Sequence, residues 1–135
     1  MLGQILYYGS NVEIIVIAVI ILVYLSPLIV GSLVMGFQKK VKSTHSESKL
    51  NKPIFVGYSW TYFFFGFFVP IFRGEIVVGL LHAILSFITF GLFWLVMSFL
   101  YNRQYSERLI GAGWQLSDTE ERNQLARLKL RISDQ

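Results

Sequence analysis

The chain of 135 residues contains no cysteine and only two histidines. The absence of cysteine excludes a disulfide framework, a cysteine-ligated zinc or iron–sulfur site and a thiol nucleophile. Charged residues are also scarce, at 15% of the chain against about 25% in an ordinary globular protein. Because 54% of the residues are hydrophobic, these charges are too few to cover a compact soluble domain. The composition therefore predicts a membrane protein with little chain left for a catalytic domain.

A long hydrophobic run lies near the N-terminus. No charged residue or histidine occurs between Glu13 and Lys39, and the run Ile14–Phe37 would be about 36 Å long as a helix. That length crosses a hydrocarbon core about 30 Å thick. A signal peptide fits poorly, since no basic segment precedes the run and no Ala-x-Ala cleavage site follows it. We expect an uncleaved transmembrane helix within residues 1–37, kinked at Pro27.

Two further hydrophobic runs follow a polar, lysine-rich segment, 38–53, that predicts a loop. The run Ile54–Phe72 contains ten aromatic residues, and the run Ile76–Tyr101 is longer. Since only three residues separate them, they predict a tight transmembrane hairpin over 54–101, with Arg73 and Glu75 in its outer turn. The predicted fold is all-α, with three transmembrane helices and a cytoplasmic tail over 102–135.

The basic residues orient this arrangement. Five lysines fall in the loop and six basic residues in the tail, so that three crossings place eleven of the twelve on one side. The positive-inside rule makes that side the cytoplasm, with the N-terminus outside and only Arg73 opposite. This topology suits a multi-pass protein of a bacterial inner membrane. The alternative is that 54–72 is a re-entrant loop, which in this three-run scheme would put the tail outside.

His82 is the candidate functional residue, because it is the one histidine or charged residue in the third run. Gly79, Ala83 and Ser86 border it and predict a small-residue face for close helix packing. The simpler interpretation is a neutral histidine that hydrogen-bonds to a neighbouring helix. The alternative is a proton-sensitive or pore-lining histidine.

The second run is richer in aromatic residues than a plain lipid anchor. Tyr58, Trp60 and Tyr62 would lie at the headgroup level, and rings such as Phe64 and Phe68 would fill helix contacts. An aromatic pocket for a quinone-like molecule or a lipid is the alternative interpretation.

The tail predicts a short amphipathic helix. Ser117 and Glu120 match a capping box, and Leu125, Leu128 and Ile132 recur on one face. This stripe would pack against a neighbouring subunit or a protein partner, or would lie on anionic lipid. We favour subunit or partner packing, because acidic residues in the first turn dilute the basic character.

Sequence patterns for chemistry are absent. Neither histidine has a second ligand at metal spacing, and no phosphate-binding, dinucleotide or nucleophile motif occurs in a plausible context. We therefore expect no enzyme activity, metal or cofactor. The charge pattern also predicts no nucleic-acid partner.

Several aromatic and glycine strings resemble the HrgC-like family of small bacterial membrane proteins. The resemblance covers about residues 52–114 and is carried by the segments Val56–Thr61, Phe63–Glu75, Ile88–Trp94, Tyr101–Asn102 and Leu109–Trp114. It implies a bacterial membrane hairpin and no catalytic residues. The first 51 residues fall outside the resemblance.

These patterns favour a non-enzymatic inner-membrane protein that contacts membrane lipids, self-associates as a homo-oligomer and serves as a scaffold or interaction subunit. The alternative is a holin-like or channel-like pore-forming protein, which three spans and a basic tail also describe.

Overall fold

The computed structural model describes residues 1–133 and, for residues 2–8 and 10, the backbone alone. The fold is mostly helical, at 65%, as the sequence predicts, but it also contains a three-stranded sheet that the all-α prediction did not include. The elements in chain order are α1 Leu2–Met35, β1 Lys39–His45, β2 Asn51–Val56, α2 Trp60–Phe65, α3 Phe68–Phe72, α4 Ile76–Ile88, α5 Leu92–Gly111, β3 Trp114–Leu116 and α6 Glu120–Leu130.

Helix α1 is the candidate membrane span. Of the helices in the described part of the chain, it alone is long and apolar enough to cross a membrane, over Asn11–Met35. Pro27 lies inside it and offers no N–H to the carbonyl of Val23. The Ser26 hydroxyl donates to that same carbonyl at 2.8 Å, so the proline leaves no unsatisfied acceptor there.

The segment predicted as a loop forms most of an antiparallel β-hairpin. Strands β1 and β2 pair from Lys39 opposite Val56 to Thr44 opposite Asn51, and β3 adds to the free edge of β1. In β1 the lysines point outward, while Val41 and Ser43 are fully buried. The inward alternation rests on one valine and one serine, which explains why the sequence pattern reads as a solvated loop.

The second hydrophobic run is not a continuous helix. Its start belongs to β2, and the remainder forms two short helices, α2 and α3, of six and five residues. Gly66 ends α2 with a positive φ of 53° and lies against the ring of Trp94 in α5. A helix cannot continue through this left-handed residue, so the run turns back on itself.

The third hydrophobic run is also broken, into α4 and α5. Phe90 and Gly91 have φ values of 51° and 86°, which end the first helix and reverse the chain. The Thr89 hydroxyl donates to the carbonyl of Leu85 and accepts from the N–H of Phe93, which joins the two helix ends. The two helices are antiparallel, because the start of α4 contacts the C-terminal half of α5. The three continuous transmembrane helices expected from the sequence are therefore not observed.

The C-terminal elements close the sheet end of the molecule. Helix α5 ends at Gly111, and a second glycine, Gly113, precedes β3. Glycine is typical of a helix end. Helix α6 has Thr119 rather than Ser117 as its N-cap, so the predicted capping box is wrong. The Ser117 N–H instead donates to the carbonyl of Lys42 in β1, and the Ser117 hydroxyl is hydrogen-bonded to Thr44.

The core lies where the sheet, α2, α5 and α6 meet. Its fully buried large side chains come from the inward face of the sheet, from α2 and from one side of α5. They include Val41, Ile54, Val56, Tyr62 and Tyr101. By contrast, most apolar side chains of α1, α4 and the first half of α5 are exposed.

Candidate functional site

A partly buried polar cluster lies where the helices α2 to α5, here called the bundle, meet the sheet. Its centre is Arg73, which follows α3. The guanidinium carbon lies 3.8 Å from the centroid of the Phe55 ring. It lies 5.0 and 4.9 Å from the ring centroids of Tyr101 and Tyr105. Its Nη1 donates to Asn102 Oδ1 at 3.1 Å. Arg73 is therefore a cation held by three aromatic rings and one amide.

Asn102 connects this arginine to the end of α1. It is fully buried, and its Nδ2 donates to Gln38 Oε1 at 3.0 Å and to the carbonyl of Gly57 at 3.2 Å. Gln38 Oε1 also accepts from the Thr61 hydroxyl at 3.1 Å. One amide pair thus joins α5, the α1–β1 link and α2. We call Gln38, Thr61, Arg73 and Asn102 the Arg73 cluster.

Glu75 forms a second ionic contact beside this cluster. Arg108 Nε and Nη2 donate to its two carboxylate oxygens at 2.7 and 2.8 Å, and the Tyr101 hydroxyl donates to Oε2 at 3.0 Å. Burial alone would raise the pKa of Glu75, but the hydrogen bonds from Arg108 and Tyr101 outweigh it, so the pKa lies below its ordinary value. The same contact raises the pKa of Arg108. Glu75 is therefore ionised and paired at neutral pH.

These contacts overturn the predicted outer turn. Arg73 and Glu75 lie beside the C-terminal half of α5, at the sheet end of the molecule, rather than at the opposite end. The cause is the pair of chain reversals, at Gly66 and at Phe90–Gly91, which the sequence-based scheme did not contain.

His82 is buried, with 5% of its surface exposed, inside the bundle. Its Nδ1 lies 3.0 Å from the hydroxyl of Tyr62 in α2, and its ring packs edge-on against Phe93 and Tyr101. This is the contact with a neighbouring helix that the simpler interpretation requires. The surroundings are aromatic, which is the environment of a packing residue rather than of a hydrated pathway.

The predicted small-residue face is used in part. A Cβ at Gly79 would overlap the side chain of Ile71, so this glycine lets α3 and α4 approach closely. Ala83 is half-buried, and Ser86 is buried. The Ser86 hydroxyl has no hydrogen-bond partner among the described residues.

Three aromatic residues of the second run point outward. Trp60, Phe64 and Phe68 are 42%, 46% and 50% exposed, so they form an exposed aromatic face rather than filling helix contacts. The residue that packs inward from α2 is Tyr62, with Phe63 beside it.

Helix α6 packs on the core through a face other than the predicted stripe. Its buried residues are Asn123, Ala126 and Leu130. Leu128 is 78% exposed and Leu125 lies at the edge of a groove, while Glu120 accepts a hydrogen bond from Arg127. Ile132 follows the helix and packs on the rim of the core. The stripe of Leu125, Leu128 and Ile132 is thus not the face that this chain buries on its own core, and its packing against a neighbouring subunit, a partner or lipid stays a prediction.

The contacts of the site join separate elements of the fold. Among residues 1–133, no three histidine, aspartate or glutamate side chains converge to hold a metal ion. Arg73 is held by Asn102 and by three aromatic rings, and Glu75 and Arg108 are paired with each other. The arrangement fastens the hydrophobic bundle to the polar sheet.

Gln38, Thr61 and Asn102 were not among the residues predicted from the sequence. A sequence signal exists for Asn102, which stands directly after the last apolar run between aromatic and basic residues. An amide in that position suggests a buried polar contact at the end of a hydrophobic segment. Gln38 and Thr61 carry no comparable signal.

No protein-family model, curated protein or solved structure matched the chain. The resemblance to the HrgC-like family therefore stays a prediction.

Proposed function

We propose that this chain is a non-enzymatic protein of a bacterial inner membrane, anchored by α1, that self-associates and serves as a scaffold or interaction subunit. The observation that carries the proposal is the separation of apolar and basic surface. Exposed apolar side chains lie on α1, on α4 and on the first half of α5. The twelve lysine and arginine residues lie instead on the β-hairpin, at Arg73, on the second half of α5 and on and after α6. The positive-inside rule then puts the sheet and α6 in the cytoplasm and the N-terminus outside.

In this proposal α1 crosses the membrane and the bundle enters it from the cytoplasmic side without crossing. Helix α4 has 13 residues, which span about 20 Å, less than the hydrocarbon thickness of about 30 Å. Tyr24, which packs against Phe63, lies about 18 Å along α1 from Gly36, and α1 continues beyond it. The tip of the α4–α5 hairpin, at the 96%-exposed Phe90, would lie near the middle of the bilayer.

Cysteine labelling tests this topology, because the chain has no native cysteine. Gly9→Cys, Ser48→Cys and Gly74→Cys mark the N-terminus, the β-hairpin and the turn before α4. A membrane-impermeant maleimide added to intact cells should label Gly9→Cys alone, and Ser48→Cys and Gly74→Cys should react only after permeabilisation. Labelling of Gly74→Cys in intact cells would restore the three-span topology and contradict the re-entrant bundle.

Self-association is proposed through the exposed aromatic face of α2 and α3. Native mass spectrometry of the purified protein should show an oligomer, and Phe64→Leu with Phe68→Leu should lower its population. Phe87→Leu with Phe90→Leu is the matched control at the hairpin tip, where the rings are 79% and 96% exposed. A strictly monomeric wild-type protein would defeat this part of the proposal.

The geometry favours a scaffold over a pore. A pore needs polar groups on a surface that copies of the chain share, and here the polar groups of the bundle turn inward and bond to one another. Dye release from vesicles that contain the protein would support a pore instead.

A further inference from the structure

We propose that the groove between β1 and α6 binds the head group of an anionic phospholipid of the membrane that α1 anchors. The groove has a volume of about 750 Å³. The proposal rests on the proposed function in one respect, that α1 is the membrane anchor. It adds a ligand, and a site for that ligand, to the scaffold.

The position of the groove follows from the contacts of α6 with α1. Lys129 Nζ in α6 donates to the carbonyl of Met35, the last residue of α1. A Cβ at Gly36 would lie 3.0 Å from the same amine. Lys39, which lines the groove, follows Met35 by four residues. The groove therefore opens where α1 leaves the membrane, at the level of the lipid head groups.

The polar side of the groove carries a net positive charge. Lys39, Lys40 and Arg122 line it, against one carboxylate, Glu121. Arg122 also lies 3.5 Å from Asp118, which holds it beside the groove. A phosphate diester between these cations would exchange a diffuse counterion cloud for direct contacts. The charge complements an anionic head group and discriminates against a zwitterionic one.

The apolar side of the groove suits the acyl part of the same molecule. Leu125 and Leu128 line it and are not used by the buried face of α6. At 3.6 residues per turn, Leu125 lies about 40° and Leu128 about 100° around the helix from Lys129, which contacts the end of α1. The two leucines therefore lie on the same side of Lys129, about 60° from each other and away from the buried face of α6. A phospholipid covers both the cations and the leucines, whereas free phosphate covers only the cations.

The charge of α6 argues against a second copy of the chain as the occupant. A second α6 seated in the groove would carry a net positive charge, because residues 120–131 contain four basic and two acidic residues. It would therefore add positive charge beside Lys39 and Lys40, which is unfavourable in a region of lowered dielectric. An anionic lipid meets no such repulsion.

Native mass spectrometry of the full-length protein in detergent tests the site, with dioleoyl phosphatidylglycerol and dioleoyl phosphatidylcholine as probes. We expect one phosphatidylglycerol to be retained at least tenfold more tightly than phosphatidylcholine. Lys39→Gln with Lys40→Gln should weaken the binding of phosphatidylglycerol roughly tenfold, because each lysine beside an anionic lipid contributes to the binding free energy. The matched control is Lys49→Gln with Lys52→Gln, the same change of charge at the other end of the β-hairpin, which should leave both affinities unchanged.

Two further arms keep the outcome decisive. Leu125→Ser with Leu128→Ser should weaken the binding of phosphatidylglycerol. In the wild-type protein, an excess of inorganic phosphate should fail to displace the bound lipid. Displacement by inorganic phosphate, equal retention of the two lipids, or equal effects of the two lysine pairs would each overturn the proposal. If Lys39→Gln with Lys40→Gln does not fold, Arg122→Gln replaces it, with Arg103→Gln as control. Failure of the anchor itself would appear instead as loss of Gly9→Cys labelling.

Discussion

The planar shape of the Arg73 guanidinium determines which contacts it can make. It stacks on Phe55 at 3.8 Å and donates sideways to Asn102, a geometry that a lysine ammonium cannot reproduce. Arg73→Lys should therefore lower the free energy of unfolding by about 1 to 2 kcal/mol. Thermal unfolding in detergent measures it. Arg103→Lys is the matched control, because Arg103 pairs with Glu107 at the exposed surface, and equal losses would refute the stacking argument.

Glu75 makes stability depend on pH in the acidic range. Its pKa in the folded protein is lower than in the unfolded chain, so its ionised form stabilises the fold fully above its unfolded pKa of about 4.3. That stabilisation is lost as the pH falls through the lower, folded-state pKa. We expect the melting temperature to fall as the pH decreases below about 4.

Glu75→Gln should flatten this acidic dependence and cost about 1 kcal/mol at pH 7, a modest value because Arg108 is partly exposed and screened. The measurement is a series of melting curves from pH 3 to pH 8. Glu107→Gln should keep the wild-type pH profile. An unchanged profile in Glu75→Gln would remove Glu75 as the source.

Individual residues differ in how far the sequence predicts their contacts. His82 and Gly79 stand out because they are the exceptional residues of an apolar run, and both have specific contacts. Arg73 also stands out, but its predicted position in an outer turn was wrong. Two chain reversals that the sequence did not predict, at Gly66 and at Phe90–Gly91, bring it to the sheet end of the molecule. Asn102 and Gln38 contact each other across 64 residues of sequence, and no local pattern announces such a pair.

At the scale of elements, one glycine determines how α1 meets the bundle. The ring of Tyr58 lies against the backbone of Gly31, in the space that a Cβ would take. Gly31→Ala should destabilise the protein by about 1 to 3 kcal/mol, because a methyl group overpacks this contact. Gly9→Ala is the matched control in the same helix, as a Cβ there meets no described atom within 4 Å. Melting curves decide, and equal effects would contradict the close packing.

The elements were predictable where hydrophobic length alone defines them. Helix α1 and the end of α5 follow from run length and a glycine pair. The reversal at Thr89–Gly91 did not, because Thr, Phe and Gly continue an apolar run without a charge or a proline. Strand β1 was overlooked because its inward residues are one valine and one serine. In both cases tertiary contacts, rather than local preference, choose the structure.

At the scale of the whole molecule, charge is more strongly sorted than the three-span scheme implied. Residues 1–38 contain Glu13 and no basic residue, whereas the remainder carries all twelve basic and seven acidic residues, a net charge of +5. In the proposed topology the bundle re-enters the membrane without crossing it, so Arg73 lies on the same side as the other eleven basic residues.

This sorting predicts a response to added charge. Asn11→Lys with Glu13→Lys places cations before α1 and should reduce the fraction of chains with an external N-terminus, measured as labelling of Gly9→Cys in intact cells. Ser46→Lys with Ser48→Lys adds cations to the β-hairpin and should leave labelling unchanged. Equal labelling of both variants would show that charge does not set the orientation.

The contact of Tyr58 with Gly31 also fixes the rotation of α1 about its own axis. Glu13 precedes Gly31 by about five turns at 3.6 residues per turn, so both residues project to nearly the same azimuth. The lone carboxylate at the far end of α1 is thereby aligned with the side that carries the bundle.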